Sequence, residues 1–274
     1  MDFLFCKKEG VSVKRIESRS NPLVVRVGKL TSRKHREEEK LFFFEGAHLL
    51  EEYLRFGHTP HTVFFTDEAM KKYRPLLSSL PEEILCSVPD AVFAKLSTEQ
   101  APQGILTVSS YLPCVREVSE ASEVPGRVLL LESLRDNGNV GTVLRTAAAL
   151  GWSVVLSADC ADVYASKTVR ATMGTLFSRN TYLCKDPVSF MRSFHGTGRH
   201  TYAAALSEKS CMLGSFSVGE QDLFVIGNEG QGISQELLDA CDSGVLIPMT
   251  DAAESLNASI AAAVIMWEGV RNRA

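Results

Sequence analysis

Short apolar runs closed by glycine or proline recur along the chain and alternate with stretches of helical periodicity. The clearest example begins with Leu223 to Ile226, which runs into a turn holding Gly227, Gly230 and Gly232. A short helix follows Ser234, a second apolar run (Val245 to Ile247) stops at Pro248, and a long helix is entered through Ser255-Leu256-Asn257. This alternation predicts an α/β fold with parallel strands covered on both faces. Ligands of such sheets bind beyond the carboxyl ends of the strands. Gly227-Asn228-Glu229, Pro248-Met249 and Ser255-Leu256-Asn257 all fall in that layer.

The same rhythm divides the chain. From Val11 to about Lys40 it is basic and helix-like, with Asn21-Pro22 as a helix start. An apolar stripe of Leu23, Val27 and Leu30 leaves Arg26, Lys29, Arg33, Lys34 and Arg36 outward. Strands are predicted at Leu41 to Phe44, Thr62 to Thr66, Ile84 to Val88 and Ile105 to Ser110. Helices are predicted at Ala47 to Phe56, Glu68 to Leu77 and Asp90 to Leu96. These elements make a small α/β domain over residues 1–110. Two prolines and weak periodicity mark 111–126 as a linker. A second domain over 127–274 opens with the strand Val128 to Leu131 and the helix Asn139 to Leu150. Strand Val154 to Leu156, helix Lys167 to Phe177 and strand Tyr202 to Leu206 lead to Leu223.

Composition narrows the function. No run of eighteen apolar residues is present, so no membrane span is expected. Seven scattered cysteines without a CxxC pair fit reduced thiols in a cytoplasm and argue against a zinc site or disulfide framework. The six histidines do not cluster with them, so no metal is expected. Net charge is −4, yet residues 1–40 hold eleven Lys or Arg against six Asp or Glu. A basic segment on an acidic body can dock an anionic polymer at one place.

Several side chains are candidates for chemistry. Around the helix from Asn139, Val140, Val143, Leu144, Ala147 and Ala148 form one buried arc. Arg145 lies off that arc, flanked by the small residues Gly141 and Ala149, with room to meet a planar or anionic partner. The phosphate fingerprint GxGxxG and the Walker A lysine are both absent, so phosphate-cofactor enzymes have little support. Glu229 ends an apolar strand, where its carboxylate can accept from a substrate or orient Arg145. Read alone, Ser255 and Asn257 are ordinary helix caps. The terminal helix is apolar nearly all round, with Leu256, Ile260, Val264 and Trp267 on one side, and is expected to join a homodimer interface.

Taken together, three segments resemble the motifs of the SpoU (TrmH-like) RNA 2′-O-methyltransferases of the SPOUT class. They are Asn139-Val140-Gly141-Thr142-Val143-Leu144-Arg145, Ile226-Gly227-Asn228-Glu229-Gly230-Gln231-Gly232, and Ile247-Pro248-Met249 with Ser255-Leu256-Asn257. The segment Arg170-Ala171-Thr172-Met173-Gly174-Thr175-Leu176-Phe177 also matches. Through Phe44-Glu45-Gly46 and Pro102-Gln103-Gly104-Ile105, the first half resembles an L30e/L7Ae-like substrate-binding domain.

The resemblance implies a homodimer with S-adenosylmethionine in a trefoil-knotted carboxy-terminal domain. It assigns cofactor contacts to Leu206, Gly227, Ile247, Met249, Leu256 and Asn257. Catalysis would rest on Arg145, supported by Asn139, Glu229, Ser255 and Asn257. RNA would be gripped by Arg26, Lys29, Arg33, Lys34 and Arg36, joined by Arg170. The acceptor would be a ribose 2′-hydroxyl, with a loop or single-stranded region of 23S ribosomal RNA favoured by the extra amino-terminal domain. Transfer RNA as substrate, methylation conferring antibiotic resistance, and a non-catalytic RNA-binding or ribosome-assembly role stand as rival readings. Arg145 can act as the base or as an electrostatic activator, because a free guanidinium holds its proton to above about pH 12.

Overall fold

The computed structural model describes residues 13–205, 210–250, 252 and 255–271, and the chain separates into two compact units, Met1–Tyr111 and Leu112–Ala274. The first unit contains β1 (Lys14–Arg15), α1 (Pro22–Lys29), α2 (Arg33–Glu39), β2 (Leu41–Glu45), α3 (Ala47–Arg55) and β3 (Thr62–Phe65). It continues with α4 (Asp67–Lys72), α5 (Arg74–Leu77), β4 (Leu85–Ser87), α6 (Asp90–Leu96) and β5 (Ile105–Ser110). Its sheet has the order β1-β4-β3-β5-β2, with β5 antiparallel to both β2 and β3. Val24, Val27, Leu30, Phe43, Phe64 and Phe93 build one of its cores. Asn21 caps α1 by accepting from Leu23 N, with Pro22 at the first helical position, as its sequence implies.

Three expectations for this unit change. The basic segment is not one helix: Lys14–Arg15 forms an edge strand against β4, and the helix breaks around Thr31-Ser32. The helix expected over Glu68 to Leu77 divides at Tyr73, because Pro75 can open a helix but cannot donate within one. Arg36 does not face outward. It is 4% exposed, and its Nη1 donates to the carbonyls of Leu30 (2.7 Å) and Thr31 (2.9 Å) just beyond the end of α1. Helix ends leave such acceptors without intrahelical partners, and a guanidinium can satisfy two at once.

The second unit contains β6 (Val115–Glu117), β7 (Val128–Leu131), α7 (Asn137–Leu150), β8 (Ser153–Ser157), α8 (Ser166–Ala171), β9 (Thr181–Cys184) and α9 (Pro187–Arg192). It is completed by β10 (Thr201–Ala203), β11 (Ser210–Met212), β12 (Leu223–Ile226), α10 (Gln235–Ala240), β13 (Ser243–Leu246) and α11 (Ala258–Glu268). The eight-stranded sheet has the order β11-β13-β10-β12-β7-β8-β9-β6, and every pairing is parallel. All four residues of β7 and of β12 are buried, which accounts for their unbroken apolar sequence.

The stretch expected to be a linker is part of this sheet: β6 pairs with β9 as its outermost strand. The helix expected over Lys167 to Phe177 stops at Ala171, and a 3-10 turn at Thr175–Phe177 follows Gly174, whose φ is +90°. Strands β9 and β11 and helix α9 lie where no element was predicted. Helix α7 packs against both α8 and α11, whose N-cap is Asn257.

Candidate active site

The carboxyl ends of β7 and β12 are neighbours in the sheet, with Leu131 opposite Ile226. From β7 the chain reaches Asp136, which caps α7 by accepting from Asn139 N at 2.8 Å. That bond, followed by the Lys167 ammonium 3.1 Å away, holds the Asp136 carboxyl below its usual range. The cap places Asn139 in the first turn of α7, facing the loop after β12.

In that loop Asn228 forms a closed turn. Its Oδ1 accepts from Gly230 N (2.9 Å) and Gln231 N (3.1 Å), and its backbone pairs twice with Gly232. A Cβ at Gly227 would collide with the Gly232 carbonyl, so only glycine lets the turn close. Glu229, at the tip, accepts from Asn139 Nδ2 at 3.0 Å. Asn139 Oδ1 in turn accepts from Asn257 Nδ2 at 3.2 Å. Asn257 caps α11 through its own Oδ1, which accepts from Ser259 N (2.9 Å), Ser259 Oγ (2.7 Å) and Ile260 N (3.4 Å). A chain of side-chain hydrogen bonds, Glu229–Asn139–Asn257, therefore joins segments from three separated parts of the sequence.

The other candidates fall around this chain. Arg145 is exposed, makes no hydrogen bond or ion pair with the described residues, and lies six residues past Asn139, roughly 9 Å along the helix axis. Ser255 is exposed beside the cap of α11 and makes no hydrogen bond with the described residues. Ile247 is half-buried just after β13, while Met249 and Leu256 expose apolar side chains. Leu206 lies outside the described residues. Gly141 does not make room for Arg145. It is buried, and a Cβ there would sit 2.7 Å from the Thr168 carbonyl and against Ala171, so its smallness serves the close approach of α7 and α8.

The basic face in the first unit is partly neutralised by acidic residues of α2. Arg26 pairs with Glu39, Arg33 with Glu37 at 2.8 Å, and Lys34 with Glu38 at 3.9 Å, while Lys29 is exposed. Arg36 is buried in the cap already described. Arg170 is exposed near the end of α8 in the second unit. The sequence assigns no role to Glu132, and none to Asn228 beyond its place in the second motif. Glu132 is buried at the end of β7 and accepts from Ser234 N at 2.8 Å, anchoring the far side of the glycine-rich loop. An acid directly after a four-residue apolar run was its visible signal.

A parallel α/β sheet with a polar cluster over its carboxyl edge, and a separate small mixed-sheet unit, define a two-unit protein with its site in the larger unit. The chain belongs to the SpoU rRNA Methylase family, whose model matches residues 126–267. Residues 21–107 match the MRM3-like substrate binding domain. The chain is 30% identical over 257 residues to the 23S rRNA (guanosine(2553)-2′-O)-methyltransferase RlmP of Bacillus subtilis, spanning 93% of this chain and 98% of that one. It is 31% identical to the 23S rRNA (uridine(2479)-2′-O)-methyltransferase of Streptomyces viridochromogenes, over 75% of this chain and 73% of the relative. Among solved structures, an AdoMet-bound rRNA methyltransferase from Sinorhizobium meliloti superposes with a TM-score of 0.79, at 25% identity, over 94% of this chain and 97% of that one. No helix among the described residues is long and apolar enough to cross a membrane, and no cluster of His, Cys, Asp and Glu among them could hold a metal ion.

Proposed function

We propose that this protein is a cytoplasmic RNA methyltransferase that uses S-adenosylmethionine to methylate a ribose 2′-hydroxyl of 23S ribosomal RNA. The observation that carries the reading is the Glu229–Asn139–Asn257 chain, which ties all three family motifs together at the carboxyl edge of the sheet. The named relatives act on 23S ribosomal RNA, and this favours ribosomal over transfer RNA.

The residues present fit the cofactor. Met249 and Leu256 expose apolar side chains and Ile247 is half-exposed, donor-poor groups of the kind that suit a purine face. Backbone around Gly227, together with Leu206, Ile247, Met249, Leu256 and Asn257, would hold the cofactor. When bound, S-adenosylmethionine supplies an electrophilic methyl carbon on a sulfonium.

The chain's own residues do the rest. Asn139 and Asn257, locked to Glu229, fix the motif loops so that oxygen and methyl carbon meet in line, and such positioning supplies much of the rate. Arg145, uncommitted to any described partner, grips the RNA phosphate beside the acceptor ribose and stabilises negative charge on the 2′-oxygen as its proton passes to solvent water. Ser255 adds a hydroxyl beside Asn257. Lys29, with Arg26, Arg33, Lys34 and Arg170, supplies electrostatic affinity for the RNA, so binding should weaken steeply with salt. The exposed apolar face of α11 is read as a homodimer interface, and a trefoil knot in the carboxy-terminal domain belongs to the same reading.

The test is transfer of labelled methyl from S-adenosylmethionine to unmodified ribosomal RNA and to transfer RNA, with the label mapped to base or ribose. Ribose label in ribosomal RNA is expected. Label in transfer RNA alone would replace the substrate, and failure to bind the cofactor would return the protein to the non-catalytic reading. Arg145→Lys keeps the charge but loses the guanidinium fork. Near-wild-type turnover in that variant would remove the arginine-specific role.

A further inference from the structure

The loop that presents Glu229 is held from a direction outside the three motifs. Asn228 Nδ2 donates at 2.8 Å to the carbonyl of Ser133, immediately past the buried end of β7. Ser133 is a non-glycine residue at φ +54°, a left-handed conformation that a serine rarely keeps without outside support. The support is visible on both sides of it. Its backbone N–H donates to Ser157 Oγ at 2.9 Å, and its hydroxyl donates to Asp159 Oδ2. Ser157 Oγ closes the triangle by donating to Asp159 Oδ1 at 2.6 Å.

Each oxygen of Asp159 thus accepts one serine hydroxyl, and the two serines are linked to each other. The arrangement leaves Ser133 one backbone orientation, and that orientation aims its carbonyl at Asn228. Asn228 then shapes the turn through Gly230 and Gln231, and Glu229 at the tip reaches Asn139. The connection runs from the loop after β8 to the cap of α11 without a gap.

We propose that Asp159 is a positioning residue for methyl transfer, acting through Ser157 and Ser133 to set the turn that carries Glu229. The proposal rests on the methyltransferase reading for its kinetic consequence, but the coupling itself is a property of the fold. Asp159 is exposed on its loop, so removing the carboxylate opens no cavity in the core. Partial burial alone would raise the Asp159 carboxyl, but the hydroxyl bonds from Ser133 and Ser157, with its own backbone N–H and the charge of Arg135, together hold it below its ordinary range.

The experiment compares Asp159→Ala, Asp159→Asn and Ser133→Gly with the wild-type full-length protein labelled with 15N-asparagine. Side-chain amide signals of Asn228, Asn139 and Asn257 are followed, together with the Kd for S-adenosylmethionine and kcat at saturating RNA. Asp159→Ala should move all three amide signals and lower kcat on the order of tenfold, the factor that loss of a charge-assisted hydrogen bond carries. Asp159→Asn keeps one acceptor and should fall between Ala and wild type. Glycine takes a positive φ freely, so Ser133→Gly with Asp159→Ala should cost no more than Asp159→Ala alone, since both cut the same connection. Unmoved amide signals, or a loss of thermal stability with kcat and Kd unchanged, would overturn the proposal. A wild-type protein that transfers no methyl would sink the functional reading alone, and the amide signals would still decide the coupling.

Discussion

Asn139 reaches the Glu229 carboxylate across 3.0 Å, although 90 positions separate the two in the chain. One amide side chain is thereby shared between Glu229 and Asn257, with its nitrogen donating to the first and its oxygen accepting from the second. An amide is the side chain suited to that place, because it carries a donor and an acceptor on one planar group. A carboxylate at the same position would put two acids face to face, and an aliphatic residue would leave both partners unmatched.

The arrangement predicts unequal consequences for two changes at position 229. Glu229→Gln keeps an oxygen that can accept from Asn139, while Glu229→Ala removes it. Glu229 is exposed, so neither variant should lose its fold. Steady-state methyl transfer should show Ala reduced on the order of tenfold in kcat and Gln reduced less. Equal, full activity in both would mean that the Asn139 contact is incidental to the reaction.

The buried arginine predicts a separation between stability and RNA binding in the first unit. Arg36→Ala deprives the Leu30 and Thr31 carbonyls of their charged donor, and a loss of about 2 kcal/mol is expected, visible as a melting point several degrees lower. Lys29→Ala removes an exposed charge and should leave the melting point alone while flattening the salt dependence of RNA affinity by about one counterion. Thermal melts and binding titrations at two salt concentrations separate the two. An Arg36→Ala protein with wild-type melting and weakened RNA binding would restore the outward reading of that residue.

These cases show where the sequence was legible. Strand β7 reads as four apolar residues and is fully buried, and Asn21-Pro22 opens α1, because burial and capping leave local signatures. The first motif segment was likewise visible as the start of a helix, and the other two as loops outside the sheet. Arg36 was misread because its partners are carbonyls, which have no sequence identity, and a basic run looks the same whether it faces water or a helix end. Strand β9 was passed over because Thr181–Cys184 is short and follows polar residues, though Asp186-Pro187, the cap and first residue of α9, was a readable start signal. Ser133 could not be found at all, since nothing in the sequence marks a serine that tertiary bonds will force to positive φ.

Alkaline pH should weaken the second unit. Burial pushes the Cys184 thiol up from 9.0 to about 11 and the Cys241 thiol to about 12, and it raises Tyr202 from 10.0 to about 12. In each case the folded state keeps a proton that the unfolded chain releases at its ordinary pKa. The contribution is therefore fully present below about pH 9 and is lost as pH rises through the folded values. Urea unfolding at pH 8 and at pH 10.5 should show the lower midpoint at the higher pH, and Cys184→Ala should reduce the difference. A midpoint unchanged between the two would mean that these groups ionise without loss of structure.

The last helix presents its apolar residues in two directions. Ala262, Ile265 and Met266 are buried, and α11 packs on α7. Ile260 and Trp267 point away, 51% and 57% exposed, with Val264 between them on the same face. Three large side chains at spacings of four and three residues form one stripe, which is how a helix meets a second surface rather than its own sheet. If that surface is a second copy of the chain, Ile260→Glu and Trp267→Glu should each place unpaired charge in the contact and shift the protein from dimer to monomer in sedimentation equilibrium. The monomer should keep its secondary structure, because neither side chain belongs to the core. A wild-type protein that sediments as a monomer at micromolar concentration would instead leave the stripe to another partner.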